Sequence, residues 1–145
     1  MDYLGAEPLL LERLREQVEG VRAVLSAADL AGVAESKQPT PALHVLYGGY
    51  TPGEQLKGSQ GRVQASHQRW VVVVAVRNLR TPHTGEDARG EAGPLLSAVL
   101  EALQGWRPSA EHTPLELAAG PAPGFSKGYG YFPLAFATRV VTRGT

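Results

Sequence analysis

His44, His67, His83 and His112 are the four side chains whose type suits proton transfer or metal ligation near neutral pH. They are scattered. None forms an H-x-x-x-H pair, and none stands beside a carboxylate at metal-ligand spacing. Ser66-His67 sets a nucleophile type next to a base type. Neighbours on a strand point to opposite faces, so the two do not meet and triad chemistry is closed to them. Gly128-Tyr129-Gly130-Tyr131 shares two glycines with phosphate-binding loops, but it lacks the third and leads into a strand rather than a helix N-terminus. Gly58 to Gly61 lacks the Gly-Lys-Ser/Thr ending of such a loop. Glu86-Asp87 is an acidic pair of a type that ligates Mg²⁺, yet two loop carboxylates alone fall short of a site. Cysteine is absent, which removes disulfides, thiol catalysis and Cys-based zinc together. The expectation is a chain with no catalytic residue, no cofactor and no metal.

The elements that would have to position any chemistry centre on Gln68-Arg69-Trp70-Val71-Val72-Val73-Val74-Ala75-Val76-Arg77-Asn78. Valine is stiff at χ1 and packs well on a pleated surface, so this is a strand. Its apolar residues run unbroken rather than alternating. That predicts burial on both faces, under other layers or partner subunits.

At 145 residues, 43% hydrophobic and 19% charged, the chain is one ordinary globular domain spanning 1–145. Lys plus Arg equals Asp plus Glu at 14 each, which argues against a dedicated nucleic-acid binder and leaves little self-repulsion against association. Met1-Asp2-Tyr3-Leu4-Gly5 has no basic region followed by an apolar core, so no secretory signal is expected. No apolar run approaches the roughly 20 residues that span a bilayer. These features predict a cytoplasmic setting.

A first helix is expected from about Glu7 to Gly20, with Leu11, Leu14, Val18 and Val21 as its buried stripe. Val21 to Leu25 then reads as a short strand, and Ser26 as the cap of a helical turn over Ala27 to Ala34. Ala42 to Tyr47 reads as a strand broken by Gly48-Gly49. Residues 51–66, with Pro52, Gly53, Gly58 and Gly61 among polar neighbours, read as a flexible arm. Gln64 to Asn78 is the long strand, bent near Ser66-His67. Leu79 to Gly90 reads as a loop, and Glu91 to Gln104 as a second helix with Leu96, Val99, Leu100 and Leu103 on one face. Leu115 to Leu117 is a short strand, and Tyr131 to Thr142 the last. The fold class is therefore α+β: an antiparallel or mixed sheet of about four to five strands, with two main helices packed on one face.

Four stretches in this order resemble the tail terminator (tail completion) proteins of long-tailed bacteriophages, Mu-like phages included. They are the first helix leading to Val21–Leu25; Pro41-Ala42-Leu43-His44-Val45 leading to a Gly-rich arm; Gln68 to Val74 followed by Gly93-Pro94-Leu95-Leu96; and Gly130-Tyr131-Phe132-Pro133-Leu134. The resemblance covers nearly the whole chain and implies a structural virion protein, not an enzyme. It implies a homo-oligomer, a hexameric ring on the head-proximal end of the tail tube, assembled in the host cytoplasm. Such a ring stops tube polymerisation and joins the head. The implied partners are the chain itself, the tail tube protein and a head–tail connector or stopper protein. No membrane and no sequence-specific nucleic acid is implied, although genomic DNA would pass through the ring.

A heterologous ring needs two different complementary surfaces per subunit. The candidates are the 51–66 arm and the 79–90 loop. The contact residues expected there and nearby are Gln55, Lys57, Arg62, Arg69, Arg80, Glu86, Asp87 and Tyr129. The resemblance also extends to a neighbouring class, the head–tail joining or adaptor proteins of the phage neck, whose subunits share this α+β style; the residues alone leave a small hydrolase as a further alternative. A non-viral binding module, such as a secretion-system tube adaptor, is a third class.

Overall fold

The structure is a computed structural model that describes residues 1–77 and 86–145, the side chains of Glu86 and Asp87 excepted. In chain order its elements are α1 (Ala6–Gln17), β1 (Ala23–Ser26), α2 (Ala27–Leu30), a single 3₁₀ turn (Glu35–Lys37), β2 (Ala42–Gln55), β3 (Val63–Arg77), α3 (Glu86–Leu103), β4 (Glu116–Ala118), β5 (Gly124–Ser126) and β6 (Tyr129–Arg143). The strands form one mixed sheet in the order β1-β2-β3-β6-β4, with β5 also paired to β6. Among the described residues β1–β2 is the one parallel pair. The α+β class stands; the described residues contain six strands because two of three residues each, β4 and β5, join the sheet.

Both main helices pack on one face of this sheet. Ala6, Leu10, Leu11 and Leu14 of α1 and Ala88, Ala92, Val99, Ala102 and Leu103 of α3 share one core with Leu43, Val45, Trp70, Val72, Val74, Val76, Phe132 and Phe136. These sheet residues stand opposite one another across β2, β3 and β6, for example Leu43 to Val74 to Phe132. Period-two alternation puts them all on the helix side. The Arg13 guanidinium lies 5.2 Å from the centroid of the Trp106 ring and its Nε donates to the Ala102 carbonyl at 3.0 Å, tying α1 to the end of α3.

Several boundaries differ from the sequence expectation. The first helix ends at Gln17, and Val18, buried at 4% exposure, follows it as an extended residue. Ser26 does cap α2, through a reciprocal box with Asp29. β2 does not break at Gly48-Gly49. The pairs Tyr47–Trp70 and Tyr50–Gln68 leave two residues of β2 opposite Arg69 alone, which is a β-bulge, and Gly49 supplies the positive φ of 89°. A second shift follows between Pro52 and Gln55. The long strand is not interrupted near Ser66-His67: β3 keeps one register with β6 from Val63 to Arg77, so the irregularity sits in β2. α3 begins at Glu86 rather than near Glu91, and carries Pro94 inside it. The rest of the expected 79–90 loop, Arg80 and His83 included, lies outside the described residues.

Candidate interaction surfaces

The two faces of β3 differ. Val72, Val74 and Val76 are fully buried under the helices, whereas Val71 and Val73 are only half-buried on the side without helices. On that second face Leu46, Val71, Val73, Pro121, Tyr131 and Pro133 border an apolar groove of about 360 Å³. The residues after β4 cross over its rim. Arg69 holds them, its Nη2 donating to the Ala119 carbonyl at 2.5 Å. Arg69 is thus engaged within its own subunit.

At one end of this face a polar latch closes the sheet. The Tyr131 hydroxyl donates to Glu35 Oε2 and accepts from Gln38 Nε2, both at 2.6 Å, and Ser126 Oγ donates to Glu35 Oε1 at 3.1 Å. Burial first, and then the Glu35 carboxylate as hydrogen-bond acceptor, push the Tyr131 phenol up to about 12. His44 is buried nearby, its ring centroid 6.4 Å from that of Tyr131, and its Nε2 has no hydrogen-bond partner. Burial holds this imidazole below its ordinary range, hence neutral near pH 7.

The glycines at the start of β6 serve the fold. Lys127 and Gly128 both take positive φ, 50° and 83°, in the two-residue turn that joins Ser126 to its partner Tyr129. A Cβ on Gly130 would sit 3.0 Å from Ala88 Cβ and 3.1 Å from Phe132, so the glycine lets α3 approach the strand. Tyr129 is buried within the subunit at 3% exposure, with the Arg77 guanidinium 5.6 Å from its ring centroid.

The β2–β3 hairpin carries the charged end of the sheet. Gln55 pairs with Gln64, and Lys57 and Arg62 are exposed in the connection between the strands. Glu54 accepts from Arg139 Nε at 2.6 Å and lies 3.9 Å from His67 Nε2. Its own backbone N–H first, and then Arg139, hold the Glu54 carboxyl below its ordinary range. Ser66 and His67 do face opposite ways: Ser66 Oγ lies 2.8 Å from the Tyr3 hydroxyl on the helix side, and His67 is exposed on the other. Tyr50 and Leu56, missed in the sequence, are 60% and 59% exposed on this hairpin. A lone leucine in a Gly-rich polar turn was the available signal for the second.

The structure therefore brings Gln55, Lys57 and Arg62 to the outer end of the β2–β3 hairpin, apart from Arg69, which lies farther along β3, and from Tyr129 on β6. The side chains of Arg80, Glu86 and Asp87 lie outside the described residues. Among the described residues no group of three or more His, Cys, Asp or Glu side chains is placed to hold a metal, and no helix is long and apolar enough to cross a membrane.

The profile of the phage tail terminator protein family matches residues 1–145. No curated protein matches the chain. Among solved structures, a chain of the virion of a native gene transfer agent particle aligns at 17% identity, over 95% of this chain and 88% of that one, with a TM-score of 0.47. A profile match from the first residue to the last places this chain in the phage tail terminator family, a structural protein of the phage tail.

Proposed function

We propose that this subunit assembles into a ring, a hexamer, that caps the head-proximal end of the finished tail tube. The ring stops tube polymerisation and presents the surface to which the head connector or stopper protein joins. It acts without covalent chemistry. The observation that carries this reading is the family profile spanning the whole chain. The β2–β3 hairpin supports it: its outer half presents Tyr50, Leu56, Lys57 and Arg62 to solvent. Gln55, Lys57 and Arg62 are its contact residues. Arg80, Glu86 and Asp87 supply a complementary surface on the neighbouring subunit, as a heterologous ring requires.

Removing Gly53 to Gly61 tests the reading. The deletion leaves Pro52 and Ser66 paired and joined by the four residues between Gly61 and Ser66, a normal hairpin length. The core is untouched, so the variant should fold. It should fail to form rings on tube ends, and tails made with it should vary in length in electron micrographs. Tails of normal length would show that the hairpin is not the contact. Wild-type protein that stays monomeric by light scattering at high concentration, with purified tube present, would overturn ring capping itself.

A further inference from the structure

A groove of about 840 Å³ runs along an edge of the sheet. Its walls include Tyr3, Arg107, Glu111, Arg139, Val141 and Arg143. Val141 and Arg143 are two of the last three residues of β6, beyond the point where that strand loses its outer neighbour. β4 pairs with β6 only at Ala135 to Ala137. Thr113 then covers Arg139: its N–H donates to the Arg139 carbonyl at 3.1 Å, and its Oγ1 accepts from the Arg139 N–H at 2.8 Å. Arg139 thus points its backbone groups away from β3. In an antiparallel ladder this direction alternates, so Val141 and Arg143 point theirs the same way. No strand meets them there among the described residues.

The groove is also electropositive. Arg107 and Arg143 are exposed and make no ion pair or hydrogen bond among the described residues, while Arg139 is already paired to Glu54. Among the described residues Glu111 is the one carboxylate in the wall. His112, in the floor, adds no charge near pH 7, because burial holds its imidazole below the ordinary range.

We infer that this groove takes an extended acidic segment of another protein, which pairs with Val141 and Arg143 as an added strand along the line of β4. Strand addition explains why unpaired N–H and C=O groups stand at the foot of a cavity, and the carboxylates of the incoming segment meet Arg107 and Arg143. A second copy of this chain does not supply such a segment. Outside its helices and strands the described chain has no stretch with more than one carboxylate: residues 18–22 carry Glu19 alone, beside Arg22, and residues 38–41 and 119–123 carry none. A DNA phosphate backbone would use the arginines but leave the Val141 carbonyl without a donor. The inference stands apart from ring formation and is tested on the subunit alone.

The probe is a fluorescein-labelled twelve-residue peptide alternating glutamate with valine and threonine, titrated against the full chain by anisotropy. Saturable binding is expected, with none for the same peptide carrying lysine in place of glutamate. Arg107→Glu with Arg143→Glu should weaken it by about tenfold or more, as reversed rim charges do. Both residues are exposed, so the melting temperature should stay at the wild-type value. In the complex the amide hydrogens of Val141 and Arg143 should exchange more slowly, a signature that charge attraction alone does not give. No saturation at millimolar peptide, undiminished binding by the double variant, or unchanged exchange at Val141 would each overturn the inference. So would a 20-base-pair duplex that competes for the groove with higher affinity than the peptide.

Discussion

The helix side and the open side of this sheet are built from the same strands and from the same residue type, yet they are finished differently. Val72 and Val74 lie at 0% exposure beneath α1 and α3. Val71 and Val73, one residue away in each case, are half-buried beside the residues that follow β4 and a groove lined by Leu46 and Pro133. An unbroken valine run therefore encodes one dry interior and one partial cover. The first face is complete within the subunit. The second is completed only at its end, where Tyr131, Glu35, Gln38 and Ser126 form the polar latch.

The sharpest way to break this contrast is to place a charge on each face. Val72→Asp or Val74→Asp buries a carboxylate with no partner in the shared core, and a loss above about 4 kcal/mol is expected, enough to prevent folding. Val71→Asp or Val73→Asp leaves the carboxylate near solvent, so the loss should be about 1–2 kcal/mol, with a folded protein and a lowered midpoint in urea. Equal losses on the two faces would mean that the open face is as dry as the closed one.

How far the sequence reveals each face follows from the same residues. The strand itself is plain from its β-branched composition, but consecutive valines do not say which of two layers is the deeper. Gly48-Gly49 reads as a break because a glycine pair signals an end or a bulge alike; the pairing of Tyr47 and Tyr50 with β3 decides for the bulge. The early start of α3 is hidden by Gly90, Gly93 and Pro94, three poor helix formers, and is enforced by Ala88 and Ala92 packing at 0% exposure against the core. β5 is three residues long and shows no period at all. The candidate contacts fare similarly. Lys57 and Arg62 are adjacent enough in sequence to share a hairpin, whereas Arg107 and Arg143 meet at one groove only because β6 returns past the end of α3.

A second test concerns how each face satisfies its buried polar groups. On the closed face Gln68, at 0% exposure, donates from Nε2 to the Tyr3 carbonyl at 2.6 Å and accepts from Trp70 Nε1 at 3.2 Å. It fastens the segment before α1 to the central strand and satisfies the indole. Gln68→Ala removes both bonds, strands the Trp70 N–H and leaves a small void, so about 2–3 kcal/mol of stability should go. Hydrogen exchange should rise at Tyr3 and Leu4 together with the loss. An unchanged melting curve would show that the N-terminal segment is held by other contacts.

The smallest effect is expected at the latch on the open face, and pH separates it from packing. Tyr131→Phe keeps the ring and removes the hydroxyl that joins Glu35 to Gln38, which should cost about 1 kcal/mol near neutral pH. The phenol's ordinary value is 10.0 and the folded value is about 12. Between these values the unfolded chain has released its proton and the folded chain still holds it, so unfolding gains as pH rises. The contribution of the latch is therefore fully present below pH 10 and is lost as the pH climbs through about 12. The informative quantity is the difference between wild type and Tyr131→Phe. That difference should be constant from pH 7 to pH 9, each in its own buffer series, and should shrink above pH 10 as only the wild type loses stability through this group. Parallel stability curves up to pH 12 would mean that the Tyr131 hydroxyl titrates alike in both states and that Glu35 and Gln38 do not hold it in solution.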